Sequence, residues 1–143
     1  MNGRPETGAV ARARLHSPYL ALQLNSFPEV AAALSAGDYE GALALAAKEG
    51  EAVPAALGIR RERNALALAV GVGDLAGVFP FERVVSLLSD LADRTLERAI
   101  RAAIEERTPG AEPRGFVILS LGKHGSREIN YSSDVDLIFL YDP

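Results

Sequence analysis

The most regular pattern of apolar and polar positions lies between Pro80 and Arg107. Val85, Leu88, Ala92, Leu96, Ala99 and Ala103 recur at steps of three and four, the spacing that gathers apolar side chains into one stripe of an α-helix. Asp90 with Arg94, and Glu97 with Arg101, are i,i+4 pairs with the acid first, the order that supports a helix. The spacing predicts an amphipathic helix opened by Pro80 and running to Arg107, with its stripe in a core.

Shorter segments precede it. Proline suits the first helical turn, so Ser17-Pro18 and Phe27-Pro28 mark helix starts. One helix is predicted over 28–35, closed by Gly37, and the next over 39–48, capped by Asp38. A third is predicted over 54–72. Within it Ile59-Arg60-Arg61-Glu62-Arg63-Asn64 brings three arginines together. They read as a solvated face, with contact to a phosphate or an acidic partner as the alternative.

Downstream the pattern changes. Thr108 to Gly115 holds two prolines and two glycines in eight residues, which breaks a helix. Phe116-Val117-Ile118-Leu119-Ser120-Leu121 and residues 135–141 are short runs rich in β-branched and aromatic residues, and read as buried strands. A polar, glycine-bearing loop joins them. The expected fold class is α+β, with a helical lead-in over 1–107, a linker over 108–115 and a strand-forming region over 116–143.

Composition narrows the function classes. The chain has 143 residues, 48% of them hydrophobic, and a domain near that size buries roughly 70% of its unfolded surface. The net charge is -4 and no Lys/Arg block occurs, so no nucleic-acid footprint is indicated. There is no cysteine, which excludes disulfides and thiolate metal sites and suits a reducing compartment. Residues 1–20 carry arginines but no apolar segment of a secretory signal. The most apolar run, Ala65 to Gly73, is cut by Asp74, far short of the roughly 18–20 residues a membrane span needs. A soluble, cytoplasmic protein without a membrane partner is expected.

Candidate chemistry sits in the last strand. Side chains alternate along a strand, so Asp134 and Asp136 should share a face, with Ile138 and Leu140 carrying that face into the core. Two like charges so close repel. A divalent cation reverses that cost, and Mg²⁺ favours carboxylates combined with phosphate oxygens. Gly122, Gly125 and Ser126 follow the first strand, where close backbone approach and successive N–H groups suit a phosphate. A P-loop is excluded, because Val117 stands at its first glycine and His124 follows Gly122-Lys123. Zinc is not expected, because the only histidines, His16 and His124, lie far apart in sequence. His124 reads as a loop or packing residue.

Gly125-Ser126 followed by Asp134-Val135-Asp136 resembles the signature of DNA polymerase β-like nucleotidyltransferases. The longer string from Gly122 to Phe139, GKHGSREINYSSDVDLIF, is similar to the glutamine synthetase adenylyltransferase family, whose segment reads much like GKLGGxELNYSSD[IV]DLIF. His124 replaces an apolar residue there, and Ser126 replaces a small glycine or alanine. Ser17-Pro18-Tyr19-Leu20, Phe27-Pro28-Glu29, the three-arginine helix and Leu88-Ser89-Asp90-Leu91-Ala92-Asp93 resemble that family's helical lead-in.

Members of that family are bifunctional. One nucleotidyltransferase domain attaches AMP to a tyrosine of glutamine synthetase, and the one nearer the N-terminus removes it by phosphorolysis, releasing ADP. The position of the motif implies the AMP-removing copy. The resemblance further implies catalytic Asp134 and Asp136 holding Mg²⁺ or Mn²⁺. It puts Gly125 and Ser126 at the phosphates. Lys123, Arg127 and Ser133 are further nucleotide-binding candidates, Lys123 and Arg127 by neutralising charge nearby, although the match assigns those two no definite role. Glutamine synthetase, ATP or ADP, phosphate and a nitrogen-signalling regulatory protein are the implied partners. The superfamily adds a third carboxylate from a later strand. Asp142 does not fit that place, because six residues of strand put it about 20 Å from Asp136. The expectation is therefore an N-terminal fragment of a longer enzyme, inactive alone. The alternatives are a silent helical interaction module or a nucleotidyltransferase with another substrate.

Overall fold

The computed structural model describes residues 8–51 and 53–142. The signal-peptide reading rests on residues 1–20, of which 1–7 lie outside the described residues. The chain divides into two compact units, one up to Phe81 and one from Glu82.

The first unit is helical: α1 (Ala9–His16), α2 (Pro18–Ser26), α3 (Pro28–Ala36), α4 (Tyr39–Lys48) and α5 (Ala55–Leu75). The starts follow the predicted chemistry. Ser17 Oγ accepts the Leu20 N–H at 3.2 Å, and Pro18 occupies the first turn of α2. Asp38 Oδ1 accepts the Gly41 N–H at 2.8 Å and so caps α4. Asp38→Ala is expected to lower stability by about 1 kcal/mol, seen as a lower Tm in thermal unfolding, with Asp38→Asn preserving most of it.

Helix α1 was not expected from the pattern. Its N-cap, Gly8, makes no side-chain cap bond and its first turn has no acid. It is held instead by the burial of Ala9, Val10 and Ala13, packing that overrides a weak local signal. Helix α5 runs to Leu75, past the predicted end at 72. Helices α1, α2, α3 and α4 all contact it. Ala65, Leu66, Leu68, Ala69, Val70 and Val72 are accordingly buried along its middle, and full burial of a side chain such as Leu68 contributes about 1.5–3 kcal/mol. Arg60, Arg61 and Arg63 are exposed, as a solvated face requires. Arg61 pairs with Glu49 and lies 5.6 Å over the Phe27 ring.

The second unit holds α6 (Phe81–Arg107, all but its first residue), β1 (Phe116–Leu121), α7 (Gly122–Gly125) and β2 (Asp136–Tyr141). The Thr108–Gly115 breaker connects α6 to β1 inside this unit. The predicted stripe of α6 is right in its first half and displaced in its second. Val85 and Leu88 are buried, and Ala92 and Leu96 half-buried, but Ala99 and Ala103 are exposed. From Leu96 the covered line continues at i+4 steps through the larger Ile100 and Ile104. Glu97 and Arg101 form the expected pair at 2.8 Å. No helix among the described residues is long and apolar enough to cross a membrane.

Strands β1 and β2 pair antiparallel, from Phe116 opposite Tyr141 to Leu121 opposite Asp136. Opposed residues share a face. Phe116, Ile118 and Ser120 therefore face one way with Leu137, Phe139 and Tyr141, and the Phe116 and Phe139 rings stack 5.9 Å apart. On this side a groove of 290 Å³ runs between β1 and α6, lined by Leu96, Ile100, Phe116 and Ile118 among others. The other face carries Val117, Leu119, Leu121, Ile138 and Leu140, each 43–54% exposed. The expectations that both strands are buried and that Ile138 and Leu140 enter a core are thus corrected, and on the α6 side Phe139 and Tyr141 are 56% and 75% exposed as well. Helix α6 lies along one side of the two-stranded sheet, and Ile138 and Leu140 point to the opposite side.

Candidate functional site

The register of the hairpin builds the site. Residues 122–135 form its loop, and the pairing of Leu121 with Asp136 brings the two ends of that loop together. Gly122 turns the chain off β1 with φ of +56°, and a Cβ there would lie 2.9 Å from Asp136 Oδ2. The Asp136 carboxylate thus rests against backbone that only glycine leaves open. A single helical turn, α7, follows. Gly125 ends it pressed against β1, where a Cβ would lie 2.4 Å from the Ser120 carbonyl oxygen. Gly122 is required by its left-handed φ, and Gly125 by its approach to the β1 backbone.

The turn closes on itself through backbone bonds. Ser126 N–H donates to Gly122 O at 3.1 Å, Arg127 N–H to His124 O at 3.0 Å and Glu128 N–H to Lys123 O at 2.7 Å. Arg127 takes a left-handed φ of 60°, uncommon for a residue with a side chain. The Ser126 hydroxyl lies 3.3 Å from Glu128 Oε2, which accepts from it. Lys123 is exposed.

His124 is buried, its side chain 1% exposed, which agrees with a packing role. Its Nε2 lies 2.7 Å from Asp93 Oδ1 on α6. An ionised carboxylate only accepts, so Nε2 carries the proton. Nδ1 is buried without a partner among the described residues. The Arg127 guanidinium donates to Asp93 Oδ2 at 3.0 Å and also bonds Asp90. Hydrogen bonds to Asp90 first and Asp93 second raise the Arg127 pKa above its already high ordinary value. The sequence pattern paired Asp90 only with Arg94 and assigned nothing to Asp93. No spacing rule connects α6 to a loop more than thirty residues later, so this contact had no signal in the pattern.

The loop then buries Ile129 and makes a tight turn. Ser133 Oγ donates to Asn130 Oδ1 at 2.9 Å and accepts the Asn130 N–H at 3.0 Å. Ser133 is therefore engaged inside the turn that delivers Asp134. Strand β2 opens at Asp136 rather than residue 135, because this turn occupies the chain just before it. Asp134 lies in the connecting segment, so strand alternation does not fix its direction.

Both carboxylates are exposed, and neither makes a hydrogen bond or ion pair to another described residue. They are open acceptors within two positions of each other. Among the described residues no group of three or more His, Asp or Glu side chains could hold a metal unaided. Two open carboxylates suit Mg²⁺ or Mn²⁺ that draws its other ligands from phosphate and water. The donor set fits that kind of ion.

The profile of the glutamate-ammonia ligase adenylyltransferase family matches residues 9–143. Among curated relatives, a protein of Xanthobacter autotrophicus is 34% identical over 84 residues, 51% of this chain and 8% of the relative. One of Bordetella pertussis is 42% identical over 71 residues, 48% of this chain and 7% of the relative. One of Bifidobacterium longum is 52% identical over 56 residues, 39% of this chain and 5% of the relative. Each is named a bifunctional glutamine synthetase adenylyltransferase/adenylyl-removing enzyme, and the matched stretches span less than a tenth of their length. No solved structure matches. With its profile matched along nearly the whole chain, this protein belongs to the glutamate-ammonia ligase adenylyltransferase family.

Proposed function

We propose that this chain carries the nucleotide- and metal-binding corner of an enzyme that removes AMP from an adenylylated tyrosine of glutamine synthetase. In this reaction an oxygen of inorganic phosphate attacks the AMP phosphorus. The bond from phosphorus to the tyrosine oxygen breaks, the phenolate takes a proton, and ADP leaves. The observation that carries the reading is the close approach of the Asp136 carboxylate to Gly122, at the end of the sheet that also bears the Gly125-Ser126 turn. Phosphate-binding backbone and an open carboxylate converge there.

Asp134 and Asp136 are the groups that would hold Mg²⁺ or Mn²⁺. Such an ion supplies neutralisation of the charge that builds on the phosphoryl oxygens. Gly125 and Ser126 are the residues placed at the phosphate, which would replace Glu128 Oε2 as the acceptor of the Ser126 hydroxyl, and the exposed ammonium of Lys123 adds positive charge. Ser133 acts by shaping the turn ahead of Asp134. The cytoplasm is the proposed setting, with a nitrogen-signalling protein as regulator.

The test incubates the full-length protein with adenylylated glutamine synthetase, phosphate and Mg²⁺ and measures ADP. ADP formation that requires phosphate supports the reading. Transfer from ATP onto unmodified glutamine synthetase, without phosphate-dependent ADP release, would assign this copy to the opposite reaction.

A further inference from the structure

Asp93 is the one described side chain that holds both flanks of the Gly125-Ser126 turn. Its Oδ1 meets His124, immediately before the turn, at 2.7 Å. Its Oδ2 meets Arg127, immediately after, at 3.0 Å. The turn itself is pressed onto β1 through the Ser120 carbonyl. We propose that Asp93 is a positioning residue for the phosphate-binding turn, acting from α6 through His124 and Arg127 to fix the direction of the Gly125-Ser126 backbone. The proposal rests on the nucleotidyltransferase reading above.

The two grips differ in kind. Asp93, Asp90 and Arg127 are all about half exposed, so their ion pairs are screened and individually weak. The His124 contact is different, because that ring is buried. Its Nδ1 already lacks a partner among the described residues. Without Asp93 both ring nitrogens would be orphaned, and an unsatisfied buried donor is costly. Turning the ring outward to reach water would strain the turn that His124 precedes. Arg127 holds a left-handed φ, a conformation a bulky residue keeps only when its surroundings hold it there. The bonds from Arg127 N–H to His124 O and from Glu128 N–H to Lys123 O close the turn around it, and Asp90 and Asp93 tether its guanidinium. Arg127 is thereby assigned to positioning, a different part from the nucleotide binding expected of it from the sequence.

A displaced anion-binding turn should show in affinity before it shows in folding. In the full-length protein, Asp93→Ala is expected to weaken ADP binding in the presence of Mg²⁺ about tenfold, the range of a lost supporting contact. The measurement is calorimetric titration with ADP, read beside Tm and the binding-competent fraction. Arg127→Ala should weaken binding in the same sense. The double variant should bind no more weakly than Asp93→Ala alone, because the two act as one unit. A merely structural role would lower Tm and the competent fraction but leave the Kd of that fraction unchanged, and that result overturns the proposal. Fully additive losses in the double variant overturn it as well. Asp93→Asn keeps the shape, accepts from His124, and sets an amide N–H₂ against Arg127. It is expected to show a smaller loss of ADP affinity, and it carries the test if Asp93→Ala does not fold. Asp136→Asn separates two failures. If it abolishes ADP release while both Asp93 variants bind ADP normally, only the positioning role falls. If Asp136→Asn is fully active, the functional reading falls and takes the positioning role with it.

Discussion

Asp136→Asn is expected to reduce phosphate-dependent ADP release by at least about 10²-fold, while Tm stays within about 2 °C of the parent. The size follows from the chemistry assigned to the carboxylate. A metal ion supplies several kcal/mol of charge stabilisation to a phosphoryl transition state, and each 1.36 kcal/mol is a factor of ten in rate. The unchanged Tm follows from the geometry. The carboxylate is exposed and unpaired among the described residues, so neutralising it removes no internal contact. Asparagine is also isosteric, so the close packing against Gly122 survives. Initial rates of ADP formation and a thermal melt on the same preparation check both halves. A fall in rate matched by a fall in Tm would mean that Asp136 holds the hairpin together and would remove its catalytic assignment.

Gly125→Ala should have the largest effect on the fold of the site. The added methyl would meet the Ser120 carbonyl oxygen at 2.4 Å. That neighbour is backbone in a paired strand and has no rotamer to change. Either α7 lifts off β1 or β1 shifts against its partner. Overpacking of this kind costs about 1–3 kcal/mol. The expected readouts are a Tm lower by several degrees and loss of ADP binding even by the molecules that remain folded. Unchanged Tm and ADP affinity would show that the turn does not press on β1 in solution.

How much of this was legible in the sequence depended on how local each determinant is. The proline starts at Pro18 and Pro28, the Asp38 cap, the end of α6 at Arg107 and both strands follow from residues within a turn or two of each other, and they form where the pattern puts them. Helix α1 does not, because the burial of Ala9, Val10 and Ala13 is decided by distant packing rather than by a cap. The stripe of α6 drifts because Ala99 and Ala103 satisfy the spacing with too little side chain to cover, whereas Ile100 and Ile104 offer more. In the loop, period-two alternation reaches Asp136 but stops there, since the Asn130–Ser133 turn holds the chain out of the strand up to residue 135. The Gly125-Ser126 and Asp134-x-Asp136 motifs were visible as strings. The clasp from Asp93 to His124 and Arg127 was not, because it joins separate elements and replaces no missing partner that the sequence advertises.

The hairpin register also has a kinetic meaning. Pairings from Leu121–Asp136 out to Phe116–Tyr141 span 15 to 25 residues of chain. The entropic cost of closing a loop grows only slowly with its length, and hairpins form in about 1–10 μs. The carboxylate and the anion-binding turn are thus neighbours in folding time as well as in space. Their meeting needs only the zipping of one loop. A two-stranded hairpin alone is marginal, so an early encounter of this kind is reversible until α6 covers one side of the sheet. Pulse-labelled amide exchange should accordingly find the β1 and β2 amides protected only together with those of α6.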